Sequence, residues 1–197
     1  EATWAGVRML EAGGNAVDAA VAAAFAQAAG DPGGSGIGGQ SWVVIRLATG
    51  VERAVYCPSR APMRLDVGQV KAARRGNDLW GAKAAGVPTT VATLAHALER
   101  YGTKSFAETL APAVEAAEAG YRIQPFEHPY LGDYAHRLFD SEVLAPVFLT
   151  GPVGESGYPA PVPLGSCVKI PGLAETLRRL AAAGASDFYT GGIAAEL

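Results

Sequence analysis

Apolar positions in the first thirty residues recur at helical spacing. Ala5, Met9 and Leu10, with Val7 nearby, precede Gly13-Gly14, a pair suited to a left-handed helix stop. Asn15 then fits an N-cap, with Asp18 three residues on, where a capping box carries its acid. Residues 16–29 are alanine-rich with little polar surface, so this helix is expected to be buried on most sides. Gly30-Asp31-Pro32-Gly33-Gly34 ends it.

The period then changes. Ser35-Gly36-Ile37-Gly38-Gly39 leads into a strand-like run over 42–47, Thr49-Gly50 forms a turn, and 53–57 reads as the partner strand of a hairpin. Pro58, Pro62 and Gly68 predict an irregular connection. Helical spacing returns at Val91, Leu94, Ala95 and Leu98 within 89–101, closed by Gly102. It recurs over 105–119, with Ser105 as cap, Glu108 three residues later, Leu110, Val114 and Ala117 inward, and Gly120 after the end. The stretch 121–169 is rich in aromatics and proline, with one helical piece around 129–139. Leu173, Leu177 and Leu180 share a face of a helix over 173–183 that Gly184 stops; 187–197 reads as a helix beginning. No repeat or low-complexity linker divides this mixture of helices and strands, so an α+β chain forming one domain, or one lobe of a larger one, is expected.

Composition narrows the function classes. The chain has 197 residues, 49% hydrophobic and 18% charged, enough for a sizeable core. A net charge of −3, with Arg74-Arg75 the densest basic spot, offers no electrostatic footprint for nucleic acid or an anionic membrane surface. The apolar run 16–29 is too short to span a bilayer and contains Asp18 and Gln27. Cys57 and Cys167 share no metal-like spacing and are expected to be unpaired core thiols. The first residue is Glu1 rather than Met, which is expected of a processed or trimmed N-terminus.

Several stretches, taken in order, carry a resemblance. They are Met9 through Ala20 (MLEAGGNAVDAA), Ser35-Gly36-Ile37-Gly38-Gly39, Ala61-Pro62, Gly86-Val87-Pro88, Tyr101-Gly102, Leu110-Ala111-Pro112-Ala113, Gly120-Tyr121, Leu173 through Leu177, and Phe188-Tyr189-Thr190-Gly191. Together they resemble the gamma-glutamyltransferase family over nearly the whole chain. The resemblance implies a precursor that cuts itself into a large and a small subunit. It also implies an N-terminal-nucleophile fold, a four-layer αββα sandwich built from both subunits. The nucleophile is the threonine that opens the small subunit; its hydroxyl attacks an amide carbonyl and its own α-amino group serves as base. No metal or organic cofactor is implied. The Thr-Thr-His-type stretch that opens the small subunit is nowhere in this sequence, since Thr89-Thr90 is followed by Val91 at a helix start. Residues 1–197 are therefore expected to be a partial or an unusually short large subunit, without a catalytic residue of its own, completed by a small subunit that carries the threonine. Secreted and cytosolic members both exist in the family, so the resemblance selects no compartment.

Departures bear on the substrate. In the transferase an arginine that grips the substrate's α-carboxylate stands shortly before an Ala-Pro pair. Counting back from Ala61-Pro62, that place holds Pro58 and the following acid's place holds Ser59. Proline has no side-chain donor. Arg60, two residues later, is the candidate carboxylate anchor, and the expectation moves from gamma-glutamyl groups to another small amide, as in the family's oxamate amidohydrolase or cephalosporin acylase branches. Gly36, Gly38 and Gly39 are candidates for close backbone approach to the ligand or the new N-terminus, with a strand-entry corner of positive φ as the competing reading. Ser35 is a candidate substrate contact. His96, His128 and His136 lack metal spacing, Glu115 and Glu118 read as a solvated helix face, and Trp4, Trp42 and Trp80 as packing. Two other classes compete: a scaffold without catalysis, and an anion-binding module on the 33–39 loop. The anion module needs a strand before the loop and a helix after it, the reverse of the order here.

Overall fold

A computed structural model describes residues 1–75, 81 and 84–197. Helices α1 (Ala2–Glu11) and α2 (Ala16–Gly30) form an antiparallel pair around a turn in which Gly13 takes φ 81°. The pair packs closely because Gly6 lies against the Ala19 carbonyl, where an added Cβ would stand 3.3 Å away. The predicted capping box is present: Asn15 Oδ1 accepts from the Val17 and Asp18 amides, and the Asp18 carboxylate accepts the Asn15 N–H at 2.7 Å. On α2, Val17, Val21, Ala22, Phe25, Ala26, Ala28 and Ala29 are buried, while Ala16, Ala20 and Gln27 are exposed.

The hairpin β1 (Ser41–Arg46) and β2 (Glu52–Cys57) pairs antiparallel, with Trp42 opposite Tyr56 and Val44 opposite Ala54. Helix α3 (Val67–Arg75) corrects the irregular connection expected there. Asp66 accepts from the Gly68 and Gln69 amides and starts a helix that buries no residue, so no hydrophobic period announces it. Helices α4 (Thr90–Tyr101) and α5 (Phe106–Ala119) follow, the second opened by the Ser105–Glu108 capping box and closed at Gly120, φ 81°.

The 121–169 stretch is more structured than expected. The single helical piece is two helices, α6 (His128–Asp133) and α7 (Ala135–Phe139), broken at Tyr134, with α8 (Ala145–Phe148) beyond. Two-residue strands accompany them: β3 (Tyr121–Arg122), β4 (Leu149–Thr150), β5 (Ala160–Pro161) and β6 (Cys167–Val168), paired antiparallel as β3–β6 and β4–β5. Helix α9 (Leu173–Ala183) spans the predicted residues. The last segment is two short helices, α10 (Asp187–Thr190) and α11 (Gly192–Glu196), rather than one. The break sits at Gly191, where the Asp187 carboxylate accepts the Gly192 N–H at 2.8 Å.

The main core joins α2, α4, α5 and α9 through Val21, Phe25, Val91, Leu110, Leu177 and Leu180. Each such side chain, taken fully from water, contributes about 2 kcal/mol. Ile45 of β1 is buried in the same core, with Val43 and Val55 packed partly against it, so the hairpin lies on the helices by one face only. A second cluster of Tyr121, Ile123, Leu131, Phe148 and Val168 lies under the aromatic stretch. Among the described residues no helix is long and apolar enough to cross a membrane.

Candidate functional site

The glycine loop is shaped at both ends by hydrogen bonds. At its start, Asp31 Oδ1 accepts the Gly34 N–H at 3.0 Å and the Asp31 carbonyl accepts the Ser35 N–H at 2.8 Å, turning the chain off α2. At its end, the Gly39 carbonyl accepts the Thr89 and Thr90 amides at 2.8 and 3.2 Å. Those donors belong to the first turn of α4, where intrahelical partners are lacking. The Ala92 N–H of the same turn is taken by the Tyr189 hydroxyl at 2.9 Å. Three amides of the helix start are thus taken by protein groups, which counts against the phosphate-loop reading.

The exit of the hairpin is tied to the same place. Thr89 Oγ1 donates to the Cys57 carbonyl at 2.5 Å, Gln40 Oε1 accepts the Ser59 N–H at 3.0 Å, and the Arg60 carbonyl accepts the Val87 N–H at 2.8 Å. Loop, hairpin and helix start therefore form one rigid corner.

A groove of about 640 Å³ opens over this corner. Ser35, Gly38 and Gly39 line it together with Gly36, Gln27 and Thr90. Arg60 is brought to the corner by its backbone but does not line the groove, and its side chain is exposed. The positive-φ reading of the loop fails: neither Gly36, Gly38 nor Gly39 takes a left-handed φ. A Cβ on Gly38 would meet nothing within 4 Å, and one on Gly36 only the Gly38 amide at 3.9 Å. Neither backbone conformation nor crowding within this chain requires glycine there. Gln27 was not singled out by the sequence as a site residue; Gln40 and Ser41, which also line the groove, stand where the family resemblance leads one to expect two further glycines. No acid, base or thiol lines the groove, so among the described residues nothing in it can move a proton during catalysis.

The remaining candidates fall elsewhere. His96 is exposed on α4, and His136 lies beside Tyr158 with ring centroids 6.1 Å apart. Among the described residues no group of His, Cys, Asp or Glu is placed to hold a metal ion. Glu115 and Glu118 are not simply solvated: Glu115 pairs with Arg8 of α1 at 2.5 Å and Glu118 with Arg178 of α9, linking helices across the surface. Trp4 and Trp42 are 69% and 67% exposed rather than packed in the core, and Trp42 meets Tyr56 edge to face on the outer side of the hairpin. Trp80 lies outside the described residues. Cys57 and Cys167 are unpaired, but half-buried and exposed rather than in the core.

The gamma-glutamyltranspeptidase family model matches residues 2–197. The chain is similar to an acylase ACY 1 proenzyme of Pseudomonas sp. (strain SE83), 35% identical over 76% of this chain and 29% of the relative. It is also similar to a glutathione hydrolase proenzyme of Pseudomonas sp. (strain A14), 31% identical over 100% of this chain and 34% of the relative. Among solved structures, the Helicobacter pylori gamma-glutamyltranspeptidase superposes with TM-score 0.81 at 33% identity, covering 99% of this chain and 55% of that one. A cephalosporin acylase from Bacillus halodurans superposes with TM-score 0.79 at 29% identity, covering 99% of this chain and 36% of that one. The chain thus spans about a third of the length of the curated relatives it matches.

Proposed function

Because the chain belongs to the gamma-glutamyltranspeptidase family, we propose that it forms the large-subunit portion of a self-cleaving N-terminal-nucleophile amidohydrolase or acyltransferase. The nucleophile comes from a small subunit whose first residue is threonine. Its hydroxyl oxygen adds to the carbonyl of a small amide while its α-amino group takes the hydroxyl proton. The amine leaves with that proton, and the acyl ester passes to water or to an acceptor amine. Residues 1–197 supply the walls of the site and no catalytic group.

The observation that carries this reading is the uncrowded glycine loop. Glycine at 36 and 38 answers no need of this chain's own packing, and it leaves room for a second backbone or a substrate to lie against the loop. Two features of the surface support it. Among the described residues strand β1 is paired only with β2, and its open edge runs beside Ala20 and Ala24 of α2, with Ser41, Trp42, Val43 and Val44 along it. A two-stranded hairpin is marginal alone, and a further strand on this edge would cover those alanines. The Ser41 hydroxyl is buried there without a hydrogen-bond partner among the described residues. We read the hairpin as part of one sheet of the αββα sandwich, with Ser35, Gly38 and Gly39 facing the substrate. Arg60, exposed at the corner, is the proposed anchor for a substrate carboxylate, and the Pro58-Ser59 departure points to an amide other than a strictly gamma-glutamyl one.

Intact-mass analysis with N-terminal sequencing of every polypeptide that copurifies with this chain tests the reading. A partner beginning with threonine is expected, together with amide hydrolysis by the assembled protein. A preparation with neither overturns it.

A further inference from the structure

A second cavity, of about 670 Å³, lies on the other side of residues 32–34 from the glycine groove. Its volume is that of a pocket for a small organic ligand. One wall is apolar and aromatic: Phe126, Tyr130, Leu144 and Phe148, with Leu138 and Ile170 behind. The other carries two carboxylates, Asp31 and Glu127, and no Lys, Arg or His lines the cavity.

Glu127 is only 9% exposed. Its Oε1 accepts the Tyr121 hydroxyl at 2.8 Å and its Oε2 faces the Gln124 N–H at 3.4 Å. Neither Glu127 nor Asp31 forms an ion pair among the described residues. A buried carboxylate without a countercharge is costly, and two neutral donors, the Tyr121 hydroxyl and the Gln124 amide, offset only part of that cost. Burial and the neighbouring Glu127 hold the Tyr121 phenol protonated, well above its ordinary range, so it stays a donor to this carboxylate. An anionic ligand would be repelled at this wall, and a purely apolar one would leave Glu127 as it is. A cation with an apolar body satisfies both walls, since aromatic faces also attract cations.

We propose that this cavity binds a small hydrophobic amine, its ammonium on Glu127 and Asp31 and its aryl or branched alkyl body against Phe126, Tyr130, Leu144 and Phe148. Every wall residue lies in this chain, so the site does not depend on the amidase reading, and its test reads binding rather than turnover. Because residues 32–34 wall both the cavity and the groove, an occupied cavity borders the substrate.

The test is calorimetric titration of the whole purified protein with phenethylamine at neutral pH, against phenylpropanoate, its anionic counterpart of similar shape. Phenethylamine is expected to bind with Kd of about 1 mM, as suits so small a ligand, and at least about tenfold more tightly than phenylpropanoate. Glu127→Gln, which keeps an acceptor for Tyr121, is expected to weaken the amine by about tenfold. Tyr130→Ala, at a side chain that is 61% exposed, is expected to weaken it severalfold and decides the matter if Glu127→Gln does not fold. No saturable binding of the amine, equal binding of amine and anion, or an affinity unmoved by the substitutions overturns the proposal.

Discussion

Asp18 and Thr103 stand 85 residues apart in sequence and share two hydrogen bonds: Asp18 Oδ1 accepts the Thr103 N–H at 2.8 Å, and Oδ2 accepts its hydroxyl at 2.7 Å. The same carboxylate takes the Lys104 and Asn15 amides, and the Asn15 side chain donates to the Tyr101 carbonyl at 2.7 Å. One fully buried acid thus joins the start of α2 to the turn between α4 and α5. Removing it strands several buried donors at once. Asp18→Ala is expected to cost about 3 kcal/mol, read as a lower urea midpoint with little change in slope. A loss under about 1 kcal/mol would show that water replaces the carboxylate freely.

The same residue sets an acid limb. Burial pushes the Asp18 carboxyl up, but the bonds from the Thr103 hydroxyl and the Lys104, Asn15 and Thr103 amides outweigh it and hold the group below its ordinary range. A folded value below the unfolded one gives stability that is full above about pH 4 and lost as pH falls through the lowered folded value. Urea unfolding at several acidic pH values should show this decline, and Asp18→Asn should flatten it. An unchanged limb in the variant would assign the acid sensitivity to other carboxylates.

Gly38→Ala separates the needs of the chain from those of its surroundings. With open space at the Cβ and no left-handed φ, the substitution is expected to leave the unfolding temperature within about 1 °C. In the assembled protein kcat/KM is expected to fall at least about tenfold, because the added methyl occupies space proposed for substrate or partner. Retained kcat/KM would remove the loop from the site.

Arg60→Ala is expected to raise KM for carboxylate-bearing amides about tenfold with kcat little changed, while neutral amides are unaffected. Equal KM for both substrate classes would sink the anchor assignment.

Val44 is 82% exposed on the outer face of the hairpin, beside Trp42 and Tyr56. Val44→Lys in the assembled protein is expected to cost at least about 2 kcal/mol, since the proposed sandwich covers this face and would strand the ammonium. Glu115→Ala offers a contrast: its bond to Arg8 is half exposed, and its loss should cost well under about 1 kcal/mol. If both changes were equally mild in thermal unfolding, the hairpin face would be solvent.

Much of the helical framework could be read from the chain because its signals are local. The Asn15–Asp18 and Ser105–Glu108 boxes lie within one turn, and Leu177 and Leu180 mark the buried face of α9. Helix α3 escaped because it buries nothing, and strands β3 to β6 escaped because two residues carry no alternation. The bonds of Asp18 to Thr103 and of Glu118 to Arg178 join segments far apart in sequence, where spacing says nothing. Of the residues that line the groove, Ser35, Gly38 and Gly39 were marked by their motif. Gln27 and Thr90 were missed because they reach the groove from helices whose pattern speaks only of packing.

The clasp at Asp18 has a bearing on how such a chain can change over time. The glycine loop, the hairpin and Arg60 all belong to an excursion that leaves the helical body after α2 and is fastened again at Thr89, inside the span that Asp18 and Thr103 close. Side-chain exchanges at the residues lining the groove therefore alter its mouth while the attachments at Gly39, Cys57 and Arg60, made through main-chain carbonyls, stay put. The excursion behaves as an interchangeable fitting on a fixed chassis, and a lineage can try new ligands at the groove without first finding a new way to fold.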